Sequence, residues 1–144
     1  MRLFEGTVRL GIGLDELLSE LNSRLTALDL SKYSRSRSEG TTLITQTIED
    51  VAKRHLLEYD REVFVGARRM DGKRGLCDFA LITPDGKKIV IEIDSSNKKW
   101  SLTKLIEAHH LGNDAIWIRW NYPIKLDVPD CIHVIDLTCK KPPC

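Results

Sequence analysis

Several absences bound the reading of this chain before any motif does. Its 144 residues hold no apolar run approaching the ~18 needed to span a membrane, so no membrane contact is expected. The opening MRLFEGTVRL has no apolar signal core, so export is not expected and the cytoplasm is the expected compartment. Formal net charge is only +1, so no global basic surplus announces a nucleic-acid partner. Any such surface has to rest on local clusters. Four cysteines occur, at 77, 131, 139 and 144, and none belongs to a Cys-x-x-Cys pair. Cys131, Cys139 and Cys144 lack zinc-ligand spacing, and all four read as free thiols of a reducing compartment. No internal repeat is visible.

The composition is that of an ordinary soluble globular protein, 42% hydrophobic and 30% charged, and the length suits one domain with a sizeable core. Leu14, Leu17, Leu18, Leu21, Leu25 and Leu28 recur at helical spacing and predict an amphipathic helix over 14–28. Such a stripe serves either to pack on the domain or as the docking face of a homodimer or larger complex. SKYSRSRSEG, 31–40, reads as a loop closed by Gly40, with Lys32, Arg35 and Arg37 solvated or within reach of phosphates. A second helix is expected over about 42–57. Ile44, Ile48, Val51 and His55 share its face, Ala52 and Leu56 widen it, and Glu49 lies at its border. REVFVGARR, LCDFALI and KIVIEID read as strands, separated by the turn-rich MDGKRG and TPDG. A third helix is expected from an N-cap at Ser101, with Trp100 stapling against Leu105, to a stop at Gly112. AIWIRW and IHVIDL supply a fourth and fifth strand. The expected division is a helical extension and basic linker over 1–40, a core domain over 41–138 and a tail over 139–144.

The turn between the second and third strands decides where the acids point. Thr83-Pro84-Asp85-Gly86-Lys87 suits a type I turn followed by a left-handed glycine bulge, which pairs Thr83 with Lys87. Counting back sets Asp78 opposite Glu92. Cys77, Phe79, Leu81, Ile89, Ile91 and Ile93 then form one apolar face, and Asp78, Glu92 and Asp94 share the other. A one-residue slip would place Asp78 among the isoleucines. Cross-strand like charges repel, so a compensating cation is expected. A divalent metal suits three hard oxygen donors, and a lysine is the alternative. Arg68, Arg69, Lys73 and Arg74 precede these acids and Lys98, Lys99 and Lys104 follow them, on segments that a nucleic-acid backbone would have to pass.

Over residues 41–120 the pattern resembles the PD-(D/E)XK nuclease superfamily. That family has an acid on the second core strand and Glu-x-Lys on the third; Asp78 and Glu92 match the two acids. The resemblance implies a restriction-endonuclease-like α/β fold: an αβββαβ core whose mixed sheet is flanked by helices, here with an extra N-terminal amphipathic helix. Asp94 stands where the family's lysine would be. IEIDSSNK is similar to the very-short-patch repair endonuclease branch, where Glu-x-Asp precedes a histidine, and Lys98 occupies that later position. The resemblance thus implies a Mg2+- or Mn2+-dependent endonuclease acting on nucleic acid, with DNA the expected form, in repair, recombination or defence. Its metal ligands would be Asp78, Glu92 and Asp94, its catalytic lysine Lys98, and Glu49 an outer acid. Arg68, Arg69, Lys73, Arg74, Lys99 and Lys104 would contact nucleic acid. Lys99 or Lys104 could instead supply the cationic group from the following helix. The alternative is an inactive module on the same scaffold that binds nucleic acid or a protein.

Overall fold

The computed structural model of the chain describes residues 12–68 and 70–138, with Arg68 described by its backbone alone. The chain builds an α/β structure around one five-stranded mixed sheet in the order β1-β2-β3-β4-β5. The elements run α1 (Leu14–Thr26), α2 (Arg37–Arg54), β1 (Glu58–Arg68), β2 (Arg74–Ile82), β3 (Lys88–Asp94), α3 (Lys99–His110), β4 (Asp114–Arg119) and β5 (His133–Asp136). β1, β2 and β3 are antiparallel neighbours, whereas β3, β4 and β5 run parallel. A parallel step needs a crossover, and α3 provides it between β3 and β4.

Two apolar layers cover the sheet. On one face Phe79, Leu81, Ile91 and Ile118 pack with Leu21 of α1 and Ile48 of α2. On the other, Val90, Ala115 and Trp117 pack with Leu102, Leu105 and Ala108 of α3. Leu17, Leu21 and Leu25 are fully buried in the first layer, so the leucine stripe of α1 is spent inside the domain. Each such leucine contributes about 1.5–3 kcal/mol by burial. Among the described residues no helix is long and apolar enough to cross a membrane.

Three local expectations are corrected. First, α2 starts at Arg37 and takes up the end of the segment read as a loop, Gly40 included. The reason lies far along the chain: a Cβ on Gly40 would stand 2.2 Å from Cη2 of Trp120, which is 1% exposed. Glycine is needed there for close approach, not for a turn. At its other end α2 stops at Arg54, and Leu56 turns outward at φ 57 and 87% exposure. Leu57 enters the core in its place. Second, α3 begins at Lys99 with Lys98 at the N-cap, so Ser101 is a buried helical residue and not the cap. Third, Cys77 belongs to the α3-side layer and not to the layer of Phe79. β2 leaves its ladder with β3 at Phe79, and the alternation does not carry past that point.

The turn chemistry acts as read. Gly86 has φ 86, its N–H reaches Thr83 O at 2.8 Å, and Thr83 N–H reaches Lys87 O at 2.9 Å. At the end of α3, Gly112 N–H bonds His109 O and Asn113 N–H bonds Ala108 O, the paired bonds of a Schellman stop.

Gly40→Ala should lower stability by about 1–3 kcal/mol, because the Trp120 ring has no room to retreat. Urea unfolding should show a reduced midpoint at unchanged slope; an unaltered midpoint would contradict the packing.

Candidate functional site

The register of the β2–β3 hairpin sets the site. The ladder pairs Ile82 with Lys88, Leu81 with Ile89, Ala80 with Val90 and Phe79 with Ile91. The ladder ends there, and just beyond it Asp78 and Glu92 meet. There the side chains replace the backbone bonds. Ile93 N–H donates to Asp78 Oδ2 at 2.7 Å, and Asp78 N–H donates to Glu92 Oε1 at 3.1 Å. Two acids therefore face each other across the parting strands, each bound to the opposite chain. Strand alternation puts Glu92 and Asp94 on the face of Val90, under α3.

Glu92 is 3% exposed and Asp94 6%. Burial, then the neighbouring Asp78 charge, pushes the Glu92 carboxyl up to about 8. Asp78 is also raised, first by burial, and the donated Ile93 N–H opposes the rise. Asp94 lies near enough for its charge to raise both.

The compensating cation inside the protein is Lys104. Its ammonium pairs with Glu92 Oε2 and donates to Leu76 O at 2.8 Å. Lys104 reaches this point because Gly75 leaves room: a Cβ there would stand 3.0 Å from Trp100 and 3.1 Å from Lys104. Trp100, Ser101 and Lys104 thus define the inward side of the first turns of α3, and this explains why the helix starts before Ser101. Grouped in the sequence with phosphate-contacting cations, Lys104 is instead turned inward. Lys98 sits on the rim, with 62% of its side chain exposed and its Nζ 3.7 Å from Asp94 Oδ1.

The other expected residues are more scattered. Glu49 is engaged by the Tyr59 hydroxyl at 3.3 Å and by Arg61 at 3.9 Å. It is linked to Asp78 only through Arg61, whose Nε reaches the Asp78 carbonyl at 3.3 Å. Lys73, Arg74 and Lys99 are exposed, and the Arg74 guanidinium lies 4.5 Å over the Phe64 ring. Arg69 lies outside the described residues, as do Cys139 and Cys144, and the Arg68 side chain is not described. Cys77 and Cys131 are free thiols, and burial pushes the Cys77 thiol well up, which makes it unreactive.

Residues with no motif of their own complete the site. Trp117 Nε1 donates to Asp94 Oδ2 at 2.8 Å. Fully buried Arg119 donates to the Asp94 carbonyl at 3.2 Å, to Asn97 Oδ1 at 2.9 Å and to Tyr122 O at 2.7 Å. In the sequence only the pairing of β3 with β4 could have pointed to them.

Among the described residues, no three His, Cys, Asp or Glu side chains converge as a metal-holding group. In donor chemistry, however, Asp78 and Glu92 suit a hard divalent ion. Glu92 is buried and Asp78 half-buried, two mutually repelling oxygen donors that Lys104 offsets, with the Asp94 charge near enough to raise both. No family model, curated protein or solved structure matches the chain.

Stability should carry the signature of the raised carboxyls. Both bind protons more tightly in the folded chain than unfolded, so the folded state holds more protons between the ordinary Glu value of 4.5 and about 8. Stability is then greatest at the low end of this window and falls as pH rises through it. Melting curves across that range should show the decline, and Glu92→Gln should flatten it. A melting temperature that rises across the window would contradict the assignment.

Proposed function

We propose that the chain is a divalent-metal-dependent phosphodiester hydrolase acting on nucleic acid, DNA foremost, on a nuclease-like α/β core. One observation carries the reading: Asp78 and Glu92 meet at the fork of β2 and β3, both raised, Glu92 buried and Asp78 half-buried, with Lys104 locked on Glu92. Neutral acceptors could close the same backbone bonds without the repulsion of two like charges, so a sheet built only for stability has no need of two acids here.

Asp78 and Glu92 would hold the ion, with Asp94 as third ligand or as a water-positioning acid. Bound there, a divalent ion polarises a phosphodiester and lowers the pKa of its water. Lys104 keeps its ammonium at a fixed, desolvated point beside Glu92. There a preorganised charge offsets negative charge developing on a phosphate more strongly than in water. This assigns to Lys104 the role that the motif spacing suggested for Lys98. Lys98, exposed beside Asp94, suits contact with a phosphate at the mouth of the site. Lys73, Arg74 and Lys99 are exposed cations suited to the backbone on either side. Glu49, bound to Tyr59 and Arg61, acts on the site only through Arg61.

A second reading keeps the scaffold and drops the chemistry. Its support is that each of the three acids already has a protein donor. The chain would then bind nucleic acid or a protein without cutting.

Cleavage assays on duplex, single-stranded and branched substrates separate the two. Mg2+ or Mn2+ should support cleavage and a chelator should stop it. Asp78→Ala or Glu92→Ala should bring it to background while the circular dichroism spectrum stays native. Lys104→Ala should slow it by about 10²–10⁴-fold, the range typical of a positioned proton-transfer or charge-stabilising group, against a small effect for Lys98→Ala. Absence of cutting on every substrate, with retained binding, would sink the hydrolase in favour of the inactive module. A reversed order of the two lysines would return the role to Lys98.

A further inference from the structure

Asp94 ends β3 and is held from the neighbouring strand by two residues. The parallel register sets Glu92 beside Trp117 and Asp94 beside Arg119. Trp117 is fully buried, and its indole N–H donates to Asp94 Oδ2 at 2.8 Å. The Arg119 guanidinium lies 4.9 Å from the centre of the Trp117 ring and fixes it from above. The same guanidinium grips the turn after β3 at the Asp94 carbonyl and at Asn97 Oδ1. Asn97 Oδ1 also accepts from Lys125 N–H at 2.8 Å, and its amide donates to Pro123 O at 3.0 Å. The segment that carries Lys98 is therefore clamped on both sides.

A neutral donor on one oxygen has a particular effect on a buried carboxylate. It fixes the rotamer without cancelling the charge, and leaves the second oxygen pointing in one direction. Oδ1 of Asp94 is that second oxygen, and its charged partner is the exposed Lys98 at 3.7 Å. If Asp94 served only to satisfy the indole N–H, an amide would do as well, and the buried charge would be a cost without a return. An oriented, half-capped carboxylate is the form in which proteins present a ligand to a cation.

We propose that Trp117 and Arg119 are positioning residues for Asp94. Trp117 holds Oδ2 so that Oδ1 faces the cation bound by Asp78 and Glu92, directly or through a water on that cation. Arg119 holds the Trp117 ring and the turn from Asn97 to Lys98. The assignment rests on the reading of the acids as cation ligands.

The test is calorimetric titration with Mn2+ of the full chain and of Trp117→Phe, Asp94→Asn and the double variant. Trp117→Phe should weaken Mn2+ by about 10–100-fold, as loss of a residue that orients a ligand does. In the Asp94→Asn background the same substitution should weaken it little further, since the group through which it acts is gone. Trp117→Phe also removes buried volume, so the unaltered chain gives a second measurement that does not depend on how the variant folds. In 1H–15N spectra the Trp117 indole signal should shift with added Mg2+ along the calorimetric isotherm. The Trp120 indole, in the other apolar layer, should stay in place. Unchanged affinity in Trp117→Phe, fully additive losses in the double variant, or a stationary Trp117 signal during binding would each overturn the assignment. An unaltered chain that binds no Mn2+ would fail differently: it overturns the cation reading of Asp78 and Glu92, and the assignment with it.

Discussion

The parting of β2 from β3 is the constraint on which the rest of the site depends. A buried backbone N–H without a partner costs about 1–3 kcal/mol, and a ladder that opens inside a domain would strand several. Here Asp78 and Glu92 close the gap with their own side chains, each accepting from the opposite strand. The two acids are thereby fixed by the needs of the main chain. Their mutual repulsion requires a cation, Lys104 supplies one, and Lys104 needs the space left by Gly75. That contact and the packing of Leu102 and Leu105 share the inward face of α3. One irregularity in a hairpin thus bears on both the charge of the site and the start of the helix above it.

The two faces of the sheet divide the work. The layer beneath α1 and α2 is apolar throughout, with Leu17, Leu21 and Ile48 as its fully buried anchors. The α3 layer mixes apolar residues with Glu92, Asp94, Lys104 and Arg119, all of them buried. Buried charge is weak support for stability and is expensive unless paired. The purely apolar layer can carry the folding energy, which leaves the other free to hold groups that cost it.

Much of this was legible locally, and what was not depended on distant partners. The Thr83–Lys87 turn is a property of five residues, so its geometry and the register from Ile82–Lys88 to Phe79–Ile91 could be counted out. The limits of β3 and the glycine stop of α3 were readable for the same reason. Gly40 looked like a loop residue because the Trp120 that requires its smallness lies far along the chain, just past the end of β4. Ser101 looked like a cap because nothing in its neighbours shows that Trp100 and Lys104 must face Gly75. Lys104 looked like one more surface cation, and no spacing rule links it to Glu92. Trp117 and Arg119 read as ordinary strand residues, since their partner Asp94 is found only through a parallel pairing.

The alternation of β4 has a practical consequence. Trp117 and Trp120 are both almost wholly buried, but Trp117 belongs to the α3 layer and Trp120 to the layer beneath α1 and α2. The apolar layer therefore contains one natural fluorophore, Trp120, whereas the α3 layer contains Trp117 and, at its edge, Trp100. With Trp100 replaced by phenylalanine, each half of the interior would keep a single fluorophore. Loosening of the site could then be distinguished optically from loosening of the scaffold beneath it.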